Sequence, residues 1–167
     1  MSNKLFDKLD KIKKKALKEI DWIEEEHYQM RKNLSESNVF MSQHNEEIRE
    51  LYMERKDRKY ASLVVELYAL VEQTLKDFYA TLKKEEYEKE RNKNVIVDLE
   101  SKLSEQLNFK NVDGFRKFTE IRNYIIHDAF SLKKARKNNE INMKSSELFL
   151  SLLEVCRGYI QGINAKS

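Results

Sequence analysis

Apolar residues recur at three- and four-residue steps through most of this chain, which is the period of helices and not of strands. Leu5, Leu9, Ile12, Ala16, Ile20 and Ile23 keep that step and predict a first helix over residues 3–33. The run Ser35, Glu36, Ser37 and Asn38 reads as a break. A second helix is expected to start near Asn45, whose side chain is suited to cap Glu46, Glu47 and Ile48, and to continue to about residue 89. Its middle is the strongest periodic stretch. Tyr60, Leu63, Val64, Leu67, Leu70, Val71, Thr74, Phe78 and Leu82 fall on one face at about 100° per residue. A flank of Tyr68, Glu72, Leu75 and Tyr79 lies beside that face. It predicts a helix with more than one neighbour, the flank turned to a partner chain or a polar cleft.

Residues 91–94 read as a loop, 97–107 as a short helix and 108–113 as a connection. Asp113 and Gly114 offer an N-cap to a helix over 115–127. Residues 132–142 are basic and polar and read as a surface loop. A last helix over 144–163 is expected to bury Leu148, Leu152, Val155 and Tyr159. The pattern predicts an all-α single domain of helices joined by polar loops. Residues 1–44 would be an N-terminal helix with its break, and 45–167 the core bundle.

Composition agrees with helices. The 167 residues include no proline and three glycines, too few to turn the strands of a sheet protein. Charged residues at 37% suit helices with solvated outer faces. Thirty-two basic residues nearly cancel 29 acidic ones, so the net charge of +3 alone names no partner. A single cysteine, Cys156, forms no intrachain disulfide, and a reducing cytoplasm is expected. Residues 1–18 are Lys-rich without a continuous apolar run, unlike a secretory signal. The most apolar run, 61–75, carries Glu66 and Glu72 and is too short to span a bilayer, so no membrane association is expected.

Arg122, Asn123, Tyr124, Ile125, Ile126 and His127 stand out chemically. An arginine, an asparagine and a histidine among Phe118, Ile121, Ile125 and Ile126 are costly to bury without partners. Arg122 falls within the stripe of Phe115, Phe118, Ile121, Ile125 and Ala129, while His127 projects about 140° away on a regular helix. The two converge if the helix ends or bends near His127, or if two copies of the chain pool their motifs across a two-fold axis. The chemistry such groups support is RNA cleavage without metal. A histidine exchanges protons near neutral pH, and an arginine fork stabilises charge building on a phosphate. Asn123 would orient His127 or bind ribose or phosphate.

An Arg followed by a polar residue, with His five positions after the Arg, resembles the signature of the HEPN superfamily. The resemblance covers residues 60–83 and 115–130. It implies an up-and-down bundle of four or five helices, HEPN-like, in a superfamily many of whose members are RNA-cutting toxins and antiviral effectors. It further implies a homodimer with Arg122 and His127 in an interface cleft, Asn123 as accessory polar residue, and no cofactor. An antitoxin or defence-system protein would be the partner. In one branch a tyrosine two positions after the His is modified by a partner nucleotidyltransferase. Here that position is Ala129, which does not support such regulation.

The bland reading pairs Arg122 with a core carboxylate, Glu72 or Glu66, and makes His127 a helix cap. Lys133, Lys134, Arg136 and Lys137 follow the motif and would hold an RNA backbone, or simply solubilise the surface. Tyr124, Tyr68 and Phe130 are candidates to stack bases, with core packing as the default at helical spacing. Tyr68, Glu72 and Tyr79 would support the site. The clusters Lys11, Lys13, Lys14, Lys15, Lys18 and Arg55, Lys56, Arg58, Lys59 read as solubilising charge. Glu24 and His27 have the spacing used in pairs by di-iron bundles, but neither His44 nor His127 has a Glu three positions before it, so a solvated face is expected and no metal. Two rival functions remain: a non-catalytic helical module binding a partner protein or nucleotide, and a helical nucleic-acid binder without cleavage.

Overall fold

The computed structural model describes the backbone of residues 2–41 and 45–166, and the side chains of these outside 34–41. Within them the order is α1 (Asn3–Met41), α2 (Glu46–Lys83), α3 (Val95–Leu103), β1 (Leu107–Asn108), α4 (Val112–His127), α5 (Leu132–Asn138), α6 (Ser145–Gln161) and β2 (Asn164–Ala165). The all-α reading holds. One hydrophobic cluster draws on all six of these helices, from Leu9 and Ile20 through Val64, Leu99, Phe118 and Leu132 to Tyr159. The α1 helix is therefore part of the core.

The expected break at Ser35 to Asn38 is overturned, because α1 runs on to Met41. Serine and asparagine cost roughly 0.5 kcal/mol each in a helix interior, and no glycine or proline stops the turn there. His44 lies outside the described residues. Asn45 does cap α2, accepting the Ile48 N–H at 3.0 Å. The α2 helix ends at Lys83, short of residue 89, because Lys84 takes left-handed backbone at φ 56° and donates its N–H to Ala80 O.

The α1 and α2 helices are antiparallel. His27 meets Tyr60 at one end, and Ile12 and Asp77 line the same groove at the other. The α6 helix lies antiparallel to α1. Lys13 Nζ donates to Ile163 O at 2.9 Å, and Arg157 reaches Asp21 and Glu24. Beyond the expected Leu148, Leu152 and Tyr159, α6 also buries Phe149, Leu153, Cys156 and Ile160, while Val155 is half-buried. It is enclosed by α1, α2, α4 and α5.

The α3 helix starts at Val95, capped by Asn94, two residues before the expected start. The α4 helix begins at Val112 with left-handed Asn111 before it, in place of the expected Asp113 cap. Asn111 is held there by the hydrogen bond its side-chain Nδ2 donates to Gly158 O at 3.3 Å. The short pairing of Leu107 with Ala165 and Asn108 with Asn164 anchors the chain after α6 to the connection before α4. The expected loop over 132–142 contains α5, whose Leu132 and Ala135 are fully buried. Among the described residues no helix is long and apolar enough to cross a membrane.

Candidate functional site

The apolar stripe of α4 fixes where its polar residues go. Phe115, Phe118, Ile121 and Ile125 are buried. Phe115 stacks against Tyr159 of α6 at 4.5 Å and against Tyr68 of α2 at 5.6 Å. Phe118 stacks on Tyr68 from the same side, rings 10° from coplanar. One turn on from Phe118, Arg122 sets its guanidinium carbon 4.7 Å from the centroid of the Tyr68 ring. Its Nη1 donates to Asn123 Oδ1 at 3.0 Å, and its Nε is buried without a hydrogen-bond partner. Facing a π surface offsets part of the cost of that unmet donor.

Arg122 has no ion pair among the described residues, so the expected carboxylate pairing is not made. Glu72 is half-buried on α2 one turn beyond Tyr68. Glu66 points to α1, where burial and the Glu26 charge raise its carboxyl above the usual range. Tyr68 is 1% exposed and is a core residue, so the tyrosine flank does not present it to a partner. Tyr79 sits about 16 Å further along α2 at 1.5 Å per residue, away from Arg122. There it donates to Glu85 at 2.8 Å and meets Tyr87 edge-on.

His127 is the last residue of α4 and is exposed. The helix does end there: Asp128 is the C-cap, and Tyr124 O accepts from both Asp128 N and Ala129 N. The ring of His127 makes no hydrogen bond among the described residues. It is therefore not the helix cap, and it is not bonded to Arg122 or Asn123 within the chain. Ile126 and Phe130 flank it, 43% and 46% exposed. Tyr124 is half-buried and packs on the core.

The segment after His127 is held by α2. Ser131 Oγ donates to Asp57 Oδ2, and Lys133 N donates to Asp57 Oδ1 at 2.8 Å. Ser131 in turn caps α5 by accepting the Lys134 N–H. Asp57 thus fixes the start of α5 four residues beyond His127. No local pattern announces this, because the partners are 74 residues apart. Lys133, Lys134 and Lys137 are exposed. Arg136 is not: it is half-buried, donates from Nη1 to Met143 O, and leaves Nε buried and unmet. That bond closes the turn between α5 and α6.

His27 corrects another expectation. It is 3% exposed, not on a solvated face, with Nε2 3.2 Å from the Tyr60 hydroxyl and its ring 4.7 Å from Phe149. Burial, then the Arg31 charge, lowers its pKa. Glu24 of the same motif pairs with Arg157. Among the described residues no group of three His, Cys, Asp or Glu is placed to hold a metal ion. No family model, curated protein or solved structure matches this chain.

Proposed function

We propose that this chain is a metal-independent endoribonuclease of the HEPN type, serving a toxin–antitoxin or phage-defence system and acting as a homodimer in the cytoplasm. The observation that carries the reading is Arg122: a half-buried guanidinium bonded to Asn123, free of any carboxylate among the described residues, on the helix whose exposed last residue is His127. A cation held without a counter-ion favours an arriving anion.

In this reading the RNA 2′-oxygen attacks the adjacent phosphorus while the bond to the 5′-oxygen breaks. His127 takes the 2′-hydroxyl proton and, as imidazolium, returns it to the leaving 5′-oxygen. Arg122 stabilises the charge on the non-bridging oxygens, and Asn123 holds the guanidinium at its working angle. The products are a 2′,3′-cyclic phosphate and a 5′-hydroxyl. Five residues of regular helix separate Arg122 from His127 by about 7.5 Å of rise and 140° of turn. Two copies related by a two-fold axis bring the Arg122 of one to the His127 of the other. Lys133, Lys134 and Lys137 stand beside His127 to meet phosphates.

The test is cleavage of single-stranded or transfer RNA by purified protein in the presence of a chelator. His127→Ala should abolish cutting and keep the thermal midpoint. Cutting that survives this change removes the reading.

The exposed pair Ile126 and Phe130 favours a second reading, a non-catalytic module whose α4 end docks a partner protein or nucleotide. Growth arrest on expression that depends on Arg122 separates the two: the nuclease arrests growth, the module does not.

A further inference from the structure

The α2 cluster of Arg55, Lys56, Arg58 and Lys59, read from sequence as solubilising charge, has a different setting in three dimensions. Asp57, within the cluster, is bonded to Ser131 and to Lys133 N. That contact brings two basic segments 74 residues apart in the chain to one end of the molecule. Residues 55–62 and 128–139 together hold eight of the 32 basic residues and two of the 29 acidic ones, Asp57 and Asp128. Their net charge is +6 against +3 for the chain, which leaves −3 on everything else.

Neither segment forms an ion pair among the described residues, a property shared with Lys4, Lys8 and Lys11 of α1. Elsewhere Lys14, Lys93, Lys102, Arg116 and Arg157 each have a carboxylate within 4.0 Å. Arg55, Arg58 and Lys59 are exposed and, with Ser62, line a shallow depression of 340 Å³. Their spacing places them on the outer side of α2, Arg58 about 100° and Arg55 and Lys59 about 160° round the helix from Asp57. Lys133, Lys134 and Lys137 of α5 are exposed as well, and Ser131, which Asp57 holds, lies four residues after His127.

We propose that this surface is an RNA backbone path, with Arg55, Arg58 and Lys59 holding phosphates several nucleotides from the bond at His127. The proposal rests on the reading of Arg122 and His127 as the cleavage site and assigns where the rest of the substrate lies. Unpaired cations in a row satisfy a string of phosphates by counter-ion release, without reading sequence. The Ser62 hydroxyl adds a neutral donor to the same depression.

The experiment measures binding of a labelled 2′-O-methyl RNA, which has no 2′-hydroxyl to attack and so survives intact. Wild-type protein is compared with Arg55→Gln/Arg58→Gln/Lys59→Gln and with a control of equal charge loss, Lys4→Gln/Lys8→Gln/Lys11→Gln, after both are shown to melt like wild type. The α2 variant is expected to bind about tenfold or more weakly, with a log–log salt slope shallower by about 2, since each phosphate contact on a single strand contributes roughly 0.7. The control should lose little. Equal losses in both, an unchanged slope, or binding of anionic phospholipid vesicles in place of RNA overturns the path. RNA binding that depends on the α2 cluster in a protein that never cuts unmodified RNA sinks the nuclease reading and leaves the path. Efficient cutting with binding unaffected by the α2 changes does the reverse.

Discussion

The Arg122 guanidinium stands 4.7 Å from the Tyr68 ring centroid, and Tyr68 itself stacks with Phe115 and Phe118. One arginine therefore joins the aromatic core to the polar end of α4. Its stem packs while its fork remains half-exposed. Substitutions at the two positions should separate folding from chemistry. Tyr68→Ala removes a ring 1% exposed and should cost about 3–5 kcal/mol in urea unfolding. Arg122→Lys keeps the charge, loses the planar fork and its stacking, and should change stability by about 1 kcal/mol or less. If the chain is the nuclease proposed above, RNA cleavage by Arg122→Lys should fall by about a hundredfold or more, in line with loss of one transition-state donor. Full activity in that variant would mean that the fork does not contact the reacting phosphate.

Asp57 has its own signature. It accepts from Ser131 Oγ and from Lys133 N, so it holds the first turn of α5 in place. Asp57→Ala should cost about 1–2 kcal/mol, the range for losing a cap with its buried acceptor. Hydrogen exchange should quicken most over residues 131–138, with α6 slowed as before. Uniform loss of protection across the molecule would instead place Asp57 in the global core.

How much of this was legible in the chain varies with the length and period of each segment. The α2 face from Tyr60 to Phe78 is long and regular, and its residues are buried nearly as the spacing requires; only Leu70 and Leu82 are half-exposed. The α4 stripe was equally clear. The short α5 was not, because Leu132 and Ala135 are its only apolar anchors amid four cations, too few to set a period. The end of α2 at the left-handed Lys84, closed by its own bond to Ala80 O, has no glycine to mark it, and the left-handed Asn111 depends on a tertiary bond to Gly158 O. The polar residues of the site were read as a group. The structure bonds Arg122 to Asn123 and exposes His127 separately, because a regular helix cannot turn all three to one point.

Arg157 collects three carboxylates, Asp21 and Glu24 from α1 and Glu154 one turn back on α6. The carboxylates are largely solvated, so each pair is individually weak. As a network across two helices they fix the register of α1 on α6. Arg157→Met should lower stability by about 1 kcal/mol in low salt, and the difference from wild type should shrink as salt screens the network. A gap that stays constant from low to high salt would assign the effect to packing of the stem.

His27 makes stability depend on pH with a definite sign. Its pKa in the folded state is lowered, first by burial and then by Arg31, while in the unfolded chain it titrates near the ordinary 6.5. Well above pH 6.5 the residue is neutral in both states and contributes no slope. Below that, the unfolded chain takes up a proton that the folded one resists, so unfolding is favoured until the folded-state pKa is passed. The urea midpoint should therefore fall as pH drops below 6.5, beyond what titrating carboxylates produce. His27→Gln keeps a polar group within reach of the Tyr60 hydroxyl and cannot titrate. That variant should show a shallower fall over the same window, whatever its stability at neutral pH. Parallel curves for wild type and variant would mean that His27 accepts its proton as readily inside the bundle as outside it.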